Sequence, residues 1–334
     1  MYSYLLTGIA AGIASSILYV SGSIGTSLSL FLYFLAPLPL FLAGLGWGAK
    51  SAGAGAVIGM VVAIFIAGLT GGVVYFISIG LIPVVLCHYA LMSRSFDDDT
   101  QPSPPANSRR DWYPLGHLIL WIAGFAAVMT TIFILFILPS TPELKSSLEV
   151  LFGALLDQNP ELKTRLGGED AVPQMVGTFI SLLPVTFASY TFVMATANLW
   201  LASKIITASG RAIRPPFETS AIFYPPLLPL VLAGLLVATF LPGFIHTIAL
   251  AATASLSLAF IFLGIVVVHA IVPNVPVRPM FFAMFYITVI VLLKYAYIAL
   301  VLVGIAETIF AIRQRYSNPP PPNTPGPPPT IRDG

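Results

Sequence analysis

Charge is what this chain has least of. Asp, Glu, Lys and Arg make up only 8% of its 334 residues, against about a quarter in soluble domains. A water-soluble fold of this length needs a charged exterior, so the deficit excludes one and leaves an outer surface that faces hydrocarbon. The formal net charge of +2 is too small for a nucleic-acid partner. The single cysteine, Cys87, excludes an intrachain disulfide and carries no signal about redox compartment. No Asn-x-Ser/Thr acceptor is present. There is no G-x-x-x-x-G-K-[ST] loop, so P-loop ATP hydrolysis is not this chain's own work. H-E-x-x-H and G-x-S-x-G are missing as well. The histidines (His88, His117, His246, His269) fall at no i, i+3 or i, i+4 spacing, so no metal site and no cofactor are expected. With no paired catalytic constellation, no enzyme is expected either.

What is present is hydrophobic residue, 57% of the chain. Residues 1–49, 51–93, 115–142, 171–203 and 219–277 contain no Asp, Glu, Lys or Arg. One helical crossing needs about 20 apolar residues, so the longest runs each hold two. The expected crossings are Tyr4–Val20, Leu28–Trp47, Ala52–Ala67, Val73–Met92, Leu115–Leu138, one within Val172–Ser203, Pro226–Leu241 and Ile245–Val272. Met280–Ile312, interrupted by Lys294, adds two short ones. Small residues mark the turns, at Ser21–Ser27, Gly68–Gly72 and Leu241–Gly243. The fold class is therefore an all-α polytopic transmembrane bundle of about eight to ten spans, with the bilayer as its first partner. The helical domain covers residues 1–316, with a polar cytoplasmic loop at 93–114. The proline-rich tail, 317–334, is expected to be disordered with polyproline character.

Ser140–Asp170 differs in kind. Leu144, Leu148, Leu151, Phe152, Leu155 and Leu156 recur at helical spacing among charged residues, and Asn159–Pro160 ends the pattern. This predicts an amphipathic helix along the outer membrane surface. Cytoplasmic loops carry excess Lys and Arg. With the N-terminus inside and an even number of spans, the eleven basic residues of Lys50, Arg94, Arg109, Arg110, Lys204, Arg211, Arg214, Arg278, Arg313, Arg315 and Arg332 lie inside, against four outside. That count places both termini in the cytoplasm.

Candidate functional residues follow from what hydrocarbon penalises. Pro37 and Pro39 break the second span, and freed carbonyls are tolerated only against protein or a wet cavity. Asn198 and Trp200 are candidates for the same cavity, formed by spans two, six and the last two. Glu307 is an ionisable group at membrane depth, with either a ligand or proton role or a structural pair with Arg278. Gly8 with Gly12, and Ala10 with Ala14, give small-xxx-small spacing in the first span, which serves docking of a partner or packing within the chain.

Several segments in order resemble one family. They are Leu35–Leu40 followed by Gly44–Gly48, Trp112–Gly116, Asn198–Ala202 with Ser209–Arg211 and Arg214–Pro215, and Gly304–Glu307 leading to Arg313–Arg315. The chain resembles the YybS-like family of bacterial membrane proteins in its alphaproteobacterial form. That family is distantly similar to the substrate-binding membrane subunits of energy-coupling-factor transporters. The resemblance implies that small residues of the first helix, here Ala10 and Ala14, dock on a transmembrane partner, and that ATPases are separate chains. Two functions are therefore expected: a small-molecule transport or substrate-binding membrane subunit without its own ATPase, or a non-transporting scaffold in envelope assembly or cell shape.

Overall fold

The structure is a computed structural model that describes residues 2–95, 110–136, 141–158, 160–166, 171–218, 222–272 and 276–317. The expected disordered tail lies outside the described residues. The chain forms two compact units, Met1–Ala259 and Phe260–Gly334. Among the described residues, seven helices are long and apolar enough to cross a membrane, and the protein is a multi-pass helical membrane protein.

In the first unit, α1 (Tyr2–Ser21) is the first crossing. The second is split into α2 (Ser27–Phe34) and α3 (Leu38–Trp47). Thr26 and Ser29 form a reciprocal capping box at the start of α2. Pro39 sits in the first turn of α3, where its missing N–H costs nothing. α4 (Ala49–Tyr75), a π-turn at Phe76–Gly80 and α5 (Leu81–Ala90) follow. Together they form an apolar stretch of 42 residues, about twice what a bilayer needs. Its chain reverses at Gly68, where φ is 75° and ψ 177°, a conformation that only glycine adopts cheaply. Gly72 then packs on Met60 and Ile64, Gly59 on Tyr75 and Gly80 on Ala56. Partner numbers fall as the others rise, so the two arms are antiparallel and the stretch crosses twice.

α1 lies on the first arm of α4. A methyl group at Gly8 would stand 2.8 Å from Ser51 O, and one at Gly12 would stand 2.9 Å from Gly59 N. Here the numbers rise together, so these helices run parallel, as alternate crossings must. α6 (Leu115–Phe136) packs on the long α9 (Ala171–Ala208), with Phe133 and Phe187 stacked at 4.2 Å. α9 carries Pro184 without interruption. The amphipathic segment forms α7 (Thr141–Asp157) and α8 (Pro160–Leu166). Leu148 and Leu156 are buried, Phe152 meets Phe179 of α9, and Val150, Leu151 and Leu155 are exposed. α10 (Leu228–Ala238) is short, and Gly243, with φ 73°, turns the chain into α11 (Phe244–Ile271).

Two features were not expected from sequence. A two-stranded antiparallel ribbon, β1 (Ser93–Ser95) and β2 (Arg110–Trp112), ties the ends of the 93–114 loop together, so the chain is not purely helical. The Arg214 guanidinium donates to Ala90 O at 2.9 Å and Tyr113 O at 3.4 Å, and lies 4.4 Å from the Phe217 ring centre. It thereby binds a terminal carbonyl of α5 and the approach to α6. Burial pushes its pKa down to about 10, so it stays charged at neutral pH.

In the second unit, α12 (Arg278–Val291) and α13 (Leu293–Phe310) follow the end of α11, and α14 (Ile312–Ser317) closes the described chain. Gly264 packs on Leu300 and Gly304 on Phe260, so α13 runs antiparallel to α11. Arg278, Phe282 and Tyr286 all gather at His269, so α12 crosses the end of α11 and does not run along it. The expectation of two crossings after Arg278 is corrected: one antiparallel crossing, α13, follows it. Lys294 is an exposed residue in the first turn of that helix. Arg278 precedes this crossing, and Arg313 and Arg315 follow it.

Sidedness follows. With single cysteines introduced as Val277→Cys and Ser317→Cys (native Cys87 is buried), an impermeant maleimide should label one site from each side of the membrane. Labelling of both from one side would restore two crossings.

Candidate functional site

The site is built around the break at Leu35–Pro37. A helix interruption frees carbonyls, and in hydrocarbon each needs a donor. Asn198 on α9 donates its amide to Phe34 O at 2.7 Å and also to Met194 O at 2.7 Å. Ser15 on α1 donates to Ala36 O at 2.6 Å and accepts from the Tyr75 hydroxyl at 2.8 Å. Tyr75 is fully buried and lies over Gly59, where any side chain would collide with its hydroxyl. Four elements thus meet at one interruption: α1 through Ser15, α2–α3 through the carbonyls, the α4 hairpin through Tyr75 and α9 through Asn198.

Toward the α2 side, rings extend this junction. Tyr19 meets Tyr75 edge-on at 5.3 Å and Tyr33 at 5.9 Å, and Tyr33 stacks with Tyr190 of α9 at 6.3 Å. Tyr19, Tyr33 and Tyr190 wall a cavity of about 490 Å³, within the range of small-molecule sites. Its lining comes from α1, α2, both arms of the hairpin, α6 and α9, and includes Tyr19, Tyr33, Phe133, Phe187, Tyr190 and Thr191. Among the described residues, none that lines it is Asp, Glu, Lys, Arg or His. Leu30 and Tyr190 are 58% and 37% exposed, so the wall reaches the outer surface of the crossing helices α2 and α9, and Gly22 and Ser23 carry it to the turn after α1.

The structure distributes the sequence candidates widely. Pro37 is buried and Pro39 half-buried at the break, below the cavity's Leu30 and Tyr33. Asn198 is 1% exposed and holds the break, and Trp200 is 55% exposed on the outer surface. None of these lines the cavity. Glu307 belongs to the second unit and is 3% exposed. Its carboxylate takes 2.7 Å from Arg313 Nε and 3.1 Å from Arg313 N. The expected pair with Arg278 gives way because Ala311, at φ 48° and ψ 52°, turns the chain so that Arg313 folds back one turn. Gly8 and Gly12 are buried against α4, whereas Ala10 and Ala14 lie on the exposed face of α1. The tyrosine wall was missed. Its signal was Tyr19, Tyr33 and Tyr190 standing inside charge-free runs, where each hydroxyl needs a partner or a wet surface.

Comparison with known protein families, with characterised proteins and with solved structures finds no match.

The two faces of α1 are separable by substitution. Gly12→Val forces a side chain into the α4 backbone and should lower unfolding stability by about 1–3 kcal/mol, read as thermal unfolding in detergent. Ala14→Val, on the exposed face, should leave the unfolding temperature unchanged. Equal effects would contradict the packing described.

Proposed function

We propose that the protein is a membrane subunit that binds a small molecule for transport and depends on separate ATPase chains. The observation that carries this reading is the cavity of about 490 Å³ beside a broken helix, the place where membrane transporters hold substrate. A helix bundle serving only as a scaffold needs no such space, since packing in lipid favours close contact. The likeness to the YybS-like family, and through it to substrate-binding transport subunits, is a second support. The exposed Ala10 and Ala14 face is then available to a transmembrane partner. The lining hydroxyls have no histidine or carboxylate beside them, which favours binding over chemistry on the ligand.

The test is native mass spectrometry of protein purified in mild detergent. The expected result is a stoichiometric small molecule on the wild type that is lost in Val74→Trp, which fills the cavity, while size-exclusion behaviour is kept. A protein that is empty in both forms and co-purifies with envelope-synthesis proteins would replace this reading with the scaffold.

A further inference from the structure

We propose that the ligand of this cavity is an uncharged, planar aromatic or conjugated molecule with a polar substituent, taken from the lipid phase; this rests on the binding reading above. Three observations carry it. The first is charge. With no ionisable acid or base other than tyrosine on the wall among the described residues, an ionic ligand would lose its hydration and meet no counter-charge, a large penalty in low dielectric. The second is shape. Phe133 and Phe187 are stacked with an interplanar angle of 9°, and Tyr33 with Tyr190 at 20°. Both near-parallel pairs belong to the lining, so much of the wall is aromatic ring, which rewards a ring-bearing guest through aromatic contacts.

The third is hydrogen bonding. Thr191 is 5% exposed and lines the cavity, and its hydroxyl has no partner among the described residues. The hydroxyls of Tyr33 and Tyr190 likewise have none there. The other lining hydroxyls differ: Tyr19 donates to Gly71 O, Ser78 to Val74 O and Ser23 to Val20 O. These three hydroxyls remain open to a guest, and they lie within one turn of α9 and on Tyr33 of α2. They fit the polar substituent of a guest whose ring lies against the aromatic pairs. Leu30 and Tyr190 carry the wall to the exposed side of two membrane-crossing helices, next to the phase into which such a molecule partitions.

The test uses the whole protein in lipid nanodiscs with 2-naphthol as a fluorescent neutral probe, empty nanodiscs being subtracted. The anion 2-naphthalenesulfonate, of similar ring size, is its counterpart. The expected result is saturable 1:1 binding of 2-naphthol that Val74→Trp abolishes, with no saturable binding of the sulfonate. Thr191→Val and Tyr190→Phe, which keep volume and remove a hydroxyl, should each weaken 2-naphthol about three- to tenfold. Sulfonate binding as tight as 2-naphthol, both lost in Val74→Trp, would overturn the neutral class and leave the cavity as a binding site. Unchanged affinity in both hydroxyl variants would overturn the recognition proposed. Absence of saturable binding by either probe, alongside a native molecule retained in mass spectrometry, would overturn the aromatic class alone.

Discussion

Two backbone carbonyls, those of Phe34 and Ala36, set the terms for the first unit. They are released because Leu35–Pro37 interrupts the second crossing, and hydrocarbon offers them no donor. Asn198 and Ser15 supply the donors. Those two side chains come from α9 and α1, so satisfying the break also fixes the distance between helices far apart in sequence. Tyr75 completes the arrangement by holding Ser15 from the other side. The glycines of α1 and α4 are a consequence: only backbones without side chains let α1, the hairpin and Tyr75 share so little space.

The cavity follows from the same constraint. The cavity lies on the α2 side of the held break, where aromatic side chains of α1, α2, α6 and α9 form much of the wall. Tyrosine suits such a position because its ring packs against apolar neighbours while its hydroxyl finds either a carbonyl or open space. Tyr75 takes the first course and Tyr33 and Tyr190 the second. The site thus joins a rigid polar junction to an apolar chamber with few polar groups, the composition typical of small-molecule pockets.

Much of the fold was legible because hydrocarbon imposes a simple rule. Long charge-free runs with small-residue turns located the crossings, and Gly68 was marked as the reversal by its place among Gly68–Gly72. The amphipathic period of Leu144–Leu156 gave α7 its extent, Thr141–Asp157. Sidedness at the C-terminal end was not legible. Charge counting weighs Arg278, Arg313 and Arg315 alike, but α13 lies antiparallel to α11 through Gly264 and Gly304, a tertiary fact without a local signature. The partner of Glu307 was missed for a related reason: the left-handed turn at Ala311 is taken by a residue that does not announce it. Of the site, the break at Pro37 and the importance of Asn198 could be read from residue type. The tyrosine wall left only the signal of tyrosines inside charge-free runs; that Tyr19 and Tyr190, 171 positions apart, share one wall is a tertiary fact.

The central claim is that Ser15 and Asn198 act on one interruption as a unit. A double-mutant cycle in thermal unfolding tests it, using Ser15→Ala, Asn198→Leu and the pair. The account predicts non-additivity, with the double variant losing less than the sum of the single losses by about 0.5 kcal/mol or more, because either change alone already lets Leu35–Pro37 shift. Strict additivity would mean that the two side chains serve separate structures, and would contradict the account.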